Sequence, residues 1–407
     1  QEVFQEVGSA YSMLRATKQV RLFRGFLPHQ YDFFNRRETY AWFNQWLAKR
    51  DLGVSEAEMD EIPPEELRCT RTGQVLTSLG GLSVFKLSAQ KMRALAPANA
   101  SGTSSQEADK APTGISSRLR ALLSLPPARN TLATRTLSSD SRSNLTIEEF
   151  EFRSEPRIRV PGWFVKPGAA ATRLPTVLYL TQGGKDAAAD SASPIRGIVK
   201  KGFALCAVDL RGSGITSPRF PAYGALRYQD GRDHLREDFA WASLILGKPP
   251  LGQRVWDLMR CLDYLESRRD VDRERIYVFG VRGGALTALT AYVLDHRPRS
   301  ILCDGMISNL ASVVESENYS WGLEWFISGM LREFDLPDLM AACAPRQLWL
   351  LNTTGPTDNV LAAPDATLRV KPAIESYSRL NASDQLRTLV SPKEKKMEVV
   401  AAWIESA

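Results

Sequence analysis

Short apolar segments alternate with helical patterns over the C-terminal two thirds of the chain. Continuous apolar runs rich in β-branched and aromatic residues occur at 175–180, 203–210, 275–280, 301–307 and 346–352. Between them, residues 255–269 and 284–296 repeat their apolar positions with helical spacing. Strands that are apolar on both faces and are separated by helices are typical of a parallel sheet covered on both sides. The pattern predicts a doubly wound, mostly parallel α/β sheet within residues 145–407.

The residues before this region follow other patterns. Residues 146–167 alternate polar and apolar side chains, which predicts a pair of antiparallel strands at the start of the sheet. Residues 96–145 are rich in Ala, Ser, Thr and Pro, with one short helical pattern at 115–125. We therefore expect a partly flexible linker over residues 51–144 and a domain that begins at residue 145.

The two ends of the chain resemble each other. Residues 11–21 (YSMLRATKQVR) and 377–387 (YSRLNASDQLR) share Tyr, Ser, Leu, Ala, Gln and Arg at the same spacing. Each stretch runs on to a tryptophan in a predicted helix, Trp42 or Trp403, and the later copy is five residues shorter in between. Because this unit ends the chain, we expect residues 1–50 to be the strand–loop–helix remnant of an earlier copy, whose N-terminal part is missing. Gln1, in place of a methionine, favours the same interpretation.

Composition narrows the function classes. The 407 residues carry a net charge of +6, with Lys and Arg scattered along the chain rather than clustered, so nucleic-acid binding is not expected. Five widely spaced cysteines suggest buried free thiols and no metal cluster. No apolar stretch is long enough for a membrane span, and no signal peptide is evident, so the compartment stays undecided.

Three glycine-rich turns follow predicted strands and would meet at one edge of the sheet. In YLTQGGKD (179–186), Gly183 and Gly184 either offer amides to an oxyanion or only form a strand-to-helix turn. In DLRGSG (209–214), Arg211 is expected to pair with a carboxylate in a structural role. In YVFGVRGGALTAL (277–289), a strand turns into a helix around Arg282, where a hydrolase would carry a serine nucleophile. Arginine cannot act as that nucleophile, which favours a structural or ligand-anchoring role.

In this order, the motifs VLYLTQGGKD, AVDLRGSG, RIYVFGVRGG and APRQLWLLNTTGPTD resemble the α/β-hydrolase superfamily, in particular its acetyl xylan esterase and prolyl oligopeptidase-like branch. The resemblance covers residues 145–407. It implies that Arg282 occupies the nucleophile position and that Gly183, Gly184 and Gly283 form the oxyanion loop.

The same resemblance implies roles for two further residues. Asp358 becomes a displaced candidate for the triad acid. The late histidine is absent from the C-terminal copy, whereas LPHQYDFFNRRETYAWF near the N-terminus resembles the histidine loop. His29 is therefore expected to be the base of the truncated first copy, in the parent protein only.

Three functions stay open at this point. The leading hypothesis is a tandem carboxylic ester hydrolase whose second domain is catalytically degenerate and acts as a scaffold or as a module that binds a small molecule or carbohydrate ester, without cofactor or metal. A second hypothesis is an active hydrolase that uses carboxylates such as Asp209, Asp304 and Asp358. A third is a nucleotide-binding domain, because Asp304 follows the glycine turn at a spacing typical of a ribose-binding acid.

Overall fold

The computed structural model describes residues 2–27, 30–50, 55–56, 60–95, 111–142, 144–168, 173–189, 195–218 and 234–406. These residues form two compact units, one within residues 1–81 and one built from residues 82–221 and 232–407. We refer to them as the N-terminal unit and the sheet unit. No described helix is both long and apolar enough to cross a membrane.

A single mixed sheet organises the sheet unit. Its nine described strands are β1 (Arg135–Arg142), β2 (Leu145–Glu155), β3 (Ile158–Pro167), β4 (Leu174–Leu180), β5 (Ala204–Val208), β6 (Val271–Val281), β7 (Ser300–Asp304), β8 (Gln347–Leu351) and β9 (Leu386–Leu389). They lie in the order β1-β2-β3-β5-β4-β6-β7-β8-β9. The first three strands are antiparallel to their neighbours, and all pairs from β5 to β9 are parallel. The predicted α/β fold with a mostly parallel sheet is confirmed.

Helices cover both faces of this sheet. Those of the sheet unit are α4 (Val84–Leu95), α5 (Ala111–Leu122), α6 (Ile195–Lys200), α7 (His234–Ile245), α8 (Pro250–Ser267), α9 (Gly283–Leu294), α10 (Ala311–Val314), α11 (Leu336–Ala342), α12 (Ala363–Arg369), α13 (Lys371–Arg379) and α14 (Lys396–Ser406). Side chains that alternate along β6 separate two apolar layers: Val278 packs with α8 and α9, whereas Tyr277 and Phe279 pack with α6 and α14. The apolar runs of the sequence are therefore strands buried on both faces.

The sheet unit begins before residue 145. β1 pairs with β2 along its length, and Leu119 and Leu123, in α5 and the turn that follows it, belong to the main core. The division at residue 145 expected from composition therefore does not coincide with the division in the structure. Composition missed it because β1 is exposed on every residue and carries no apolar pattern. Of the cysteines, four are buried free thiols as expected, but Cys69 is exposed.

The N-terminal unit contains α1 (Glu2–Met13), α2 (Phe33–Phe43) and α3 (Val75–Leu79), with a 3-10 turn at Thr17–Gln19. A strand was expected after residue 19, but the described residues 20–25 form none. A strand needs a partner to accept its backbone hydrogen bonds, and no strand of the described sheet pairs with this segment.

The backbone at residues 11–19 nevertheless matches the backbone at residues 377–385. The amide of Ala16 donates to the carbonyl of Tyr11 at 2.8 Å, and that of Ala382 donates to Tyr377 at 2.9 Å. Arg15 and Asn381 occupy equivalent positions, and their φ angles are 56° and 53°. In each copy a helix, a left-handed residue and a 3-10 turn follow in the same order. The resemblance between the two ends therefore extends from sequence to local backbone structure.

Candidate functional site

The turn between β6 and α9 has the geometry of a nucleophile elbow. Arg282 stands on it with φ 54° and ψ −116°, a strained conformation for a residue with a side chain. The neighbouring glycines allow the close packing this turn requires, since a Cβ on Gly284 would lie 2.3 Å from the carbonyl oxygen of Leu180. The amide of Arg282 donates to the carbonyl of Asp304 at 2.7 Å, which ties the turn to β7. The elbow thus presents a guanidinium at the position where the sequence resemblance implies a nucleophile.

The side chain of Arg282 forms an ion pair with Asp358. Asp358 lies in the loop after β8, where it has a φ of 64°, and one of its carboxylate oxygens contacts the guanidinium. The other oxygen is buried and has no hydrogen-bond partner among the described residues. The guanidinium itself is half exposed, with 51% of the side chain accessible to solvent. The structure therefore joins the two residues assigned by sequence to the nucleophile and acid positions.

A second ion pair joins the start of α14 to the end of β7. The chain passes from β9 into α14 without a histidine, and Lys396, the first residue of α14, contacts the carboxylate of Asp304 at the end of β7. Asp304 is almost completely buried. Burial raises its pKa, and the ammonium of Lys396 opposes that effect. The carboxylate at ribose-binding spacing is therefore already engaged by a cation of the chain.

A cavity of about 250 Å³ opens at the elbow. It is lined by Gln182, Glu237, Arg282, Gly283, Ser320, Trp321, Gly322, Glu324 and Trp325. Gly283 is the first residue of α9, so its amide has no acceptor within the helix. Trp325 packs directly on it, because a Cβ on Gly283 would lie 2.1 Å from the indole ring. The cavity thus combines a helix N-terminus, a guanidinium and two indole rings.

The topology explains why the site is here. β5 lies on one side of β4 and β6 on the other, so the chain reverses its direction of travel across the sheet beside β4. Open α/β sheets bind ligands outside the carboxyl ends of their strands at such a reversal. Gln182 follows β4 and Arg282 follows β6, and both line the cavity.

The glycine loop after β4 differs from the expected oxyanion loop. The amide of Gly184 donates to the carbonyl of Thr181 at 3.0 Å and is therefore engaged in a turn. Gly184 instead makes room for Asp209, since a Cβ there would lie 2.1 Å from its carboxylate. Gly183 is exposed and is not among the residues that line the cavity. Of the three candidates, only Gly283 faces the cavity, and Gln182 takes the place expected for Gly183 and Gly184.

Asp209 is a structural clamp at the end of β5. Its carboxylate accepts hydrogen bonds from the amides of Lys185 at 2.5 Å and Ile215 at 3.3 Å, and it is fully buried. Burial raises its pKa, whereas both amide bonds and the charge of Lys185 act in the opposite direction. Asp209 therefore holds two loops together instead of facing the cavity.

The expectation for Arg211 is confirmed. Its guanidinium pairs with Asp257 at 2.9 Å and with Glu155 at 2.5 Å, and all three residues are buried or half-buried. Asp257 also accepts a bond from the hydroxyl of Ser154. This network fastens α8 to the antiparallel end of the sheet.

The three histidines of the sequence give no triad base in the described structure. His29 lies outside the described residues. His234 begins α7, and its side chain is likewise not described. His296 follows α9, whose first residue is at the elbow, and it therefore lies toward the opposite edge of the sheet. Among the described residues, no group of His, Cys, Asp and Glu side chains has an arrangement that could hold a metal ion.

Sequence reasoning missed the segment over the elbow. Trp321, Glu324 and Trp325 line the cavity, and all three are buried. They lie about 40 residues after Arg282 in sequence, in the stretch between β7 and β8, and no motif marked them. The sequence offered one signal: two tryptophans four residues apart in a region without strand or helix periodicity, since tryptophans concentrate in cores and binding surfaces.

Comparison with known proteins agrees with this architecture. No protein-family model matches the chain. It is 23% identical over 280 residues to the Bacillus subtilis (strain 168) protein named "Putative hydrolase YtaP", covering 65% of this chain and 87% of that protein.

Solved structures with a similar fold include several described as esterases. The structure described as "a putative acetyl xylan esterase" from Bacteroides fragilis NCTC 9343 superimposes with a TM-score of 0.63 at 18% identity, covering 76% of this chain and 83% of that chain. A glucuronoyl esterase from Solibacter usitatus superimposes with a TM-score of 0.51 at 15% identity, and the match covers 72% of this chain and 91% of that chain. At these identities the likeness establishes the fold alone. The chain therefore has an α/β architecture of the esterase and hydrolase type.

Proposed function

We propose that the sheet unit is a catalytically degenerate carboxylic ester hydrolase domain that serves as a ligand-binding module or scaffold. Its ligand would be a small molecule or carbohydrate ester, in keeping with the named activities of the esterases that share its fold. The proposal depends on two observations: the elbow carries no hydroxyl nucleophile, and its cavity is lined by groups that can bind a ligand.

The ion pair between Arg282 and Asp358 carries the proposal. Acyl transfer by this fold needs a hydroxyl on the elbow, a base within hydrogen-bond reach and an acid that orients the base. Here a permanently charged guanidinium occupies the elbow, and the acid candidate contacts it directly. Since guanidinium stays protonated at any physiological pH, it can neither attack a carbonyl nor accept a proton. The pair replaces a proton-transfer chain by a fixed electrostatic contact.

The same cavity retains groups that can bind an ester or its acid. The half-exposed guanidinium can donate to a carbonyl or carboxylate oxygen, and the amide of Gly283 is at the helix N-terminus. Trp321 and Trp325 provide apolar walls of the kind that pack against sugar rings. Binding without turnover is the function this combination supports best.

The competing functions have weaker support. Asp209 clamps two loops, Asp304 is paired with Lys396 and Asp358 is paired with Arg282, so each carboxylate has a separate partner. Acid–base work by two carboxylates requires that they converge on one substrate. Nucleotide binding would require the carboxylate of Asp304 to reach a ribose, and it is buried against Lys396.

Activity measurements test the proposal. The unmodified chain should not hydrolyse p-nitrophenyl acetate above background and should not be labelled by a fluorophosphonate. Arg282→Ser should remain inactive, because a serine without a base is a poor nucleophile and loss of triad members costs about 10³- to 10⁶-fold in rate. Arg282→Gln is the matched control, since it removes the charge without adding a hydroxyl. Stoichiometric labelling of the unmodified chain at any serine of the sheet unit would falsify the proposal.

We also propose that residues 1–50 are the end of a first hydrolase-like copy, with His29 as its base. The matching hydrogen bonds after α1 and α13 support a common origin for the two ends. The coding sequence upstream of Gln1 tests this: a second set of strand motifs with a G-x-S-x-G elbow is expected. An unrelated upstream sequence, or a start codon at this position, would contradict it.

A further inference from the structure

A second and larger cavity lies away from the elbow. It measures about 750 Å³, within the range of about 300–1,000 Å³ that small-molecule pockets occupy. One wall comes from α4, through Phe85, Met92 and Leu95. The opposite wall comes from the segment 310–332 and includes the buried residues Val313 and Met330. Arg282 and Gly283 are not among its lining residues, so the two cavities are distinct sites.

The wall formed by α4 is held in place. Ala89, at the middle of the helix, is buried, and Arg93 pairs with Glu315 at 3.2 Å. Two large apolar side chains of α4 that line the cavity are nevertheless exposed: the exposed fraction is 80% for Val84 and 42% for Leu95, whereas Phe85 and Met92 are half-buried. Apolar side chains turned toward an open cavity favour an apolar occupant, because filling it removes their surface from water.

The charged residues that line the cavity indicate the charge of a ligand that would fit it. Lys91, Glu317 and Arg332 line it, so basic groups outnumber acidic ones. Within the part of the chain that the structure describes, neither Lys91 nor Arg332 forms an ion pair. Unpaired cations beside an apolar space complement a molecule that carries an anionic group on an aliphatic body.

We propose that this cavity binds an amphipathic carboxylate, with its aliphatic chain between α4 and Met330 and its carboxylate near Lys91 or Arg332. The stretch 96–110, which follows α4 in sequence, is made of small, polar and charged residues without a large apolar side chain. Its composition therefore does not match the cavity lining. The inference does not depend on whether the elbow is catalytic, because none of its groups belongs to the elbow.

Titration calorimetry on the full chain with decanoate tests the proposal. We expect saturable binding with a stoichiometry of one and a dissociation constant in the micromolar range, and weaker binding of 1-decanol, which has the same chain without the charge. Lys91→Gln and Arg332→Gln should each weaken decanoate binding about threefold, as expected for solvent-accessible charges, and should leave decanol binding unchanged.

A cavity-filling variant locates the site. Ser88 is an exposed residue of α4 that lines the cavity, so Ser88→Trp should fill it and reduce decanoate affinity by at least about tenfold. Lys86→Trp is the matched control, because Lys86 is exposed on the same helix but does not line the cavity.

Three outcomes would overturn the inference. One is the absence of saturable decanoate binding up to millimolar concentration. Another is binding that survives Ser88→Trp in a variant whose thermal unfolding is unchanged, since the ligand would then lie elsewhere. The third is equal loss of affinity in Lys86→Trp and Ser88→Trp, which would indicate a non-specific effect of adding an indole to α4.

Discussion

The two ends of the chain carry the same local structure in different surroundings. Tyr11 and Tyr377 occupy the same place in the repeat, and each accepts the equivalent backbone bond from the alanine five residues later. Tyr377 is fully buried and donates from its hydroxyl to the carbonyl of Arg346 at 2.5 Å, whereas Tyr11 is only partly buried. One sequence pattern thus yields a core residue at one end and a surface residue at the other.

The tryptophans of the two copies show the same contrast. Trp403 is fully buried, its indole donates to Ser300 at 2.6 Å, and its ring packs against Tyr277 and Phe279 of β6. Trp42 is partly exposed and contacts Trp46 within its own unit, with ring centroids 5.7 Å apart. A helix and a turn form from local interactions, but a strand and a buried indole need a sheet beside them. The comparison therefore separates local from tertiary determinants within one molecule.

Deleting each end in turn should show the largest difference. Removal of residues 371–407 takes away α13, β9 and α14, and so uncovers one face and one edge of the sheet. We expect this variant to lose cooperative unfolding and to aggregate. Removal of residues 1–81 should leave cooperative denaturant unfolding of the sheet unit intact.

Circular dichroism in the near ultraviolet and urea titrations would measure both variants. If the deletion of residues 1–81 also abolished cooperative unfolding, the two ends would not differ as the structure indicates.

Substitution of the paired tryptophans should give a smaller but measurable contrast. Trp403→Ala should reduce the free energy of unfolding by about 3–5 kcal/mol, because it leaves a large cavity and removes the partner of Ser300. Trp42→Ala should reduce it by less than about 1 kcal/mol, since its ring is already partly in water. Urea midpoints of the two variants measure the difference, and equal shifts would contradict it.

The smallest effect concerns acid stability. Burial acts to raise the pKa of Asp270, but bonds from Arg268 and Lys166 lower it to about 2. Because the folded pKa is below the ordinary value of 3.8 for an aspartate, this carboxylate stabilises the fold above about pH 4 and loses that contribution as pH falls toward 2. With allowance for partial solvent exposure, the loss is about 1 kcal/mol. Asp270→Asn should remove that part of the pH dependence.

The control for this prediction lies in the N-terminal unit. The hydrogen bond from Arg36 lowers the pKa of Glu56, whose side chain is half-buried. Because this pair belongs to the N-terminal unit, Glu56→Gln should leave the acid dependence of cooperative unfolding of the sheet unit unchanged. Unfolding free energies between pH 2 and pH 5 for both variants provide the measurement. A steeper change for Glu56→Gln than for Asp270→Asn would reverse the interpretation.

Much of the fold and part of the site were readable in the sequence. The apolar runs at 275–280 and 301–307 became adjacent parallel strands, β6 and β7, because strands buried on both faces need apolar residues at every position. The position of Arg282 on the turn after β6 was predicted correctly, because glycines on both sides of it indicated a tight turn from strand to helix. In the structure, a Cβ on Gly280, Gly283 or Gly284 would collide with neighbouring atoms. The start of the sheet unit was not readable, because β1 at its edge is exposed and polar.

The sequence by itself determined the strands β2 to β8, the helices α8 and α9 and the position of Arg282 on the turn after β6, because these depend on local propensity and periodicity. Only the tertiary structure decided which of these residues meet: Asp358 pairs with Arg282, and Lys396 pairs with Asp304. Each partner comes from a distant part of the chain, and the closing of such contacts depends on how the strands are ordered in the sheet. Strand order is a property of packing over long sequence separations, which no local pattern records.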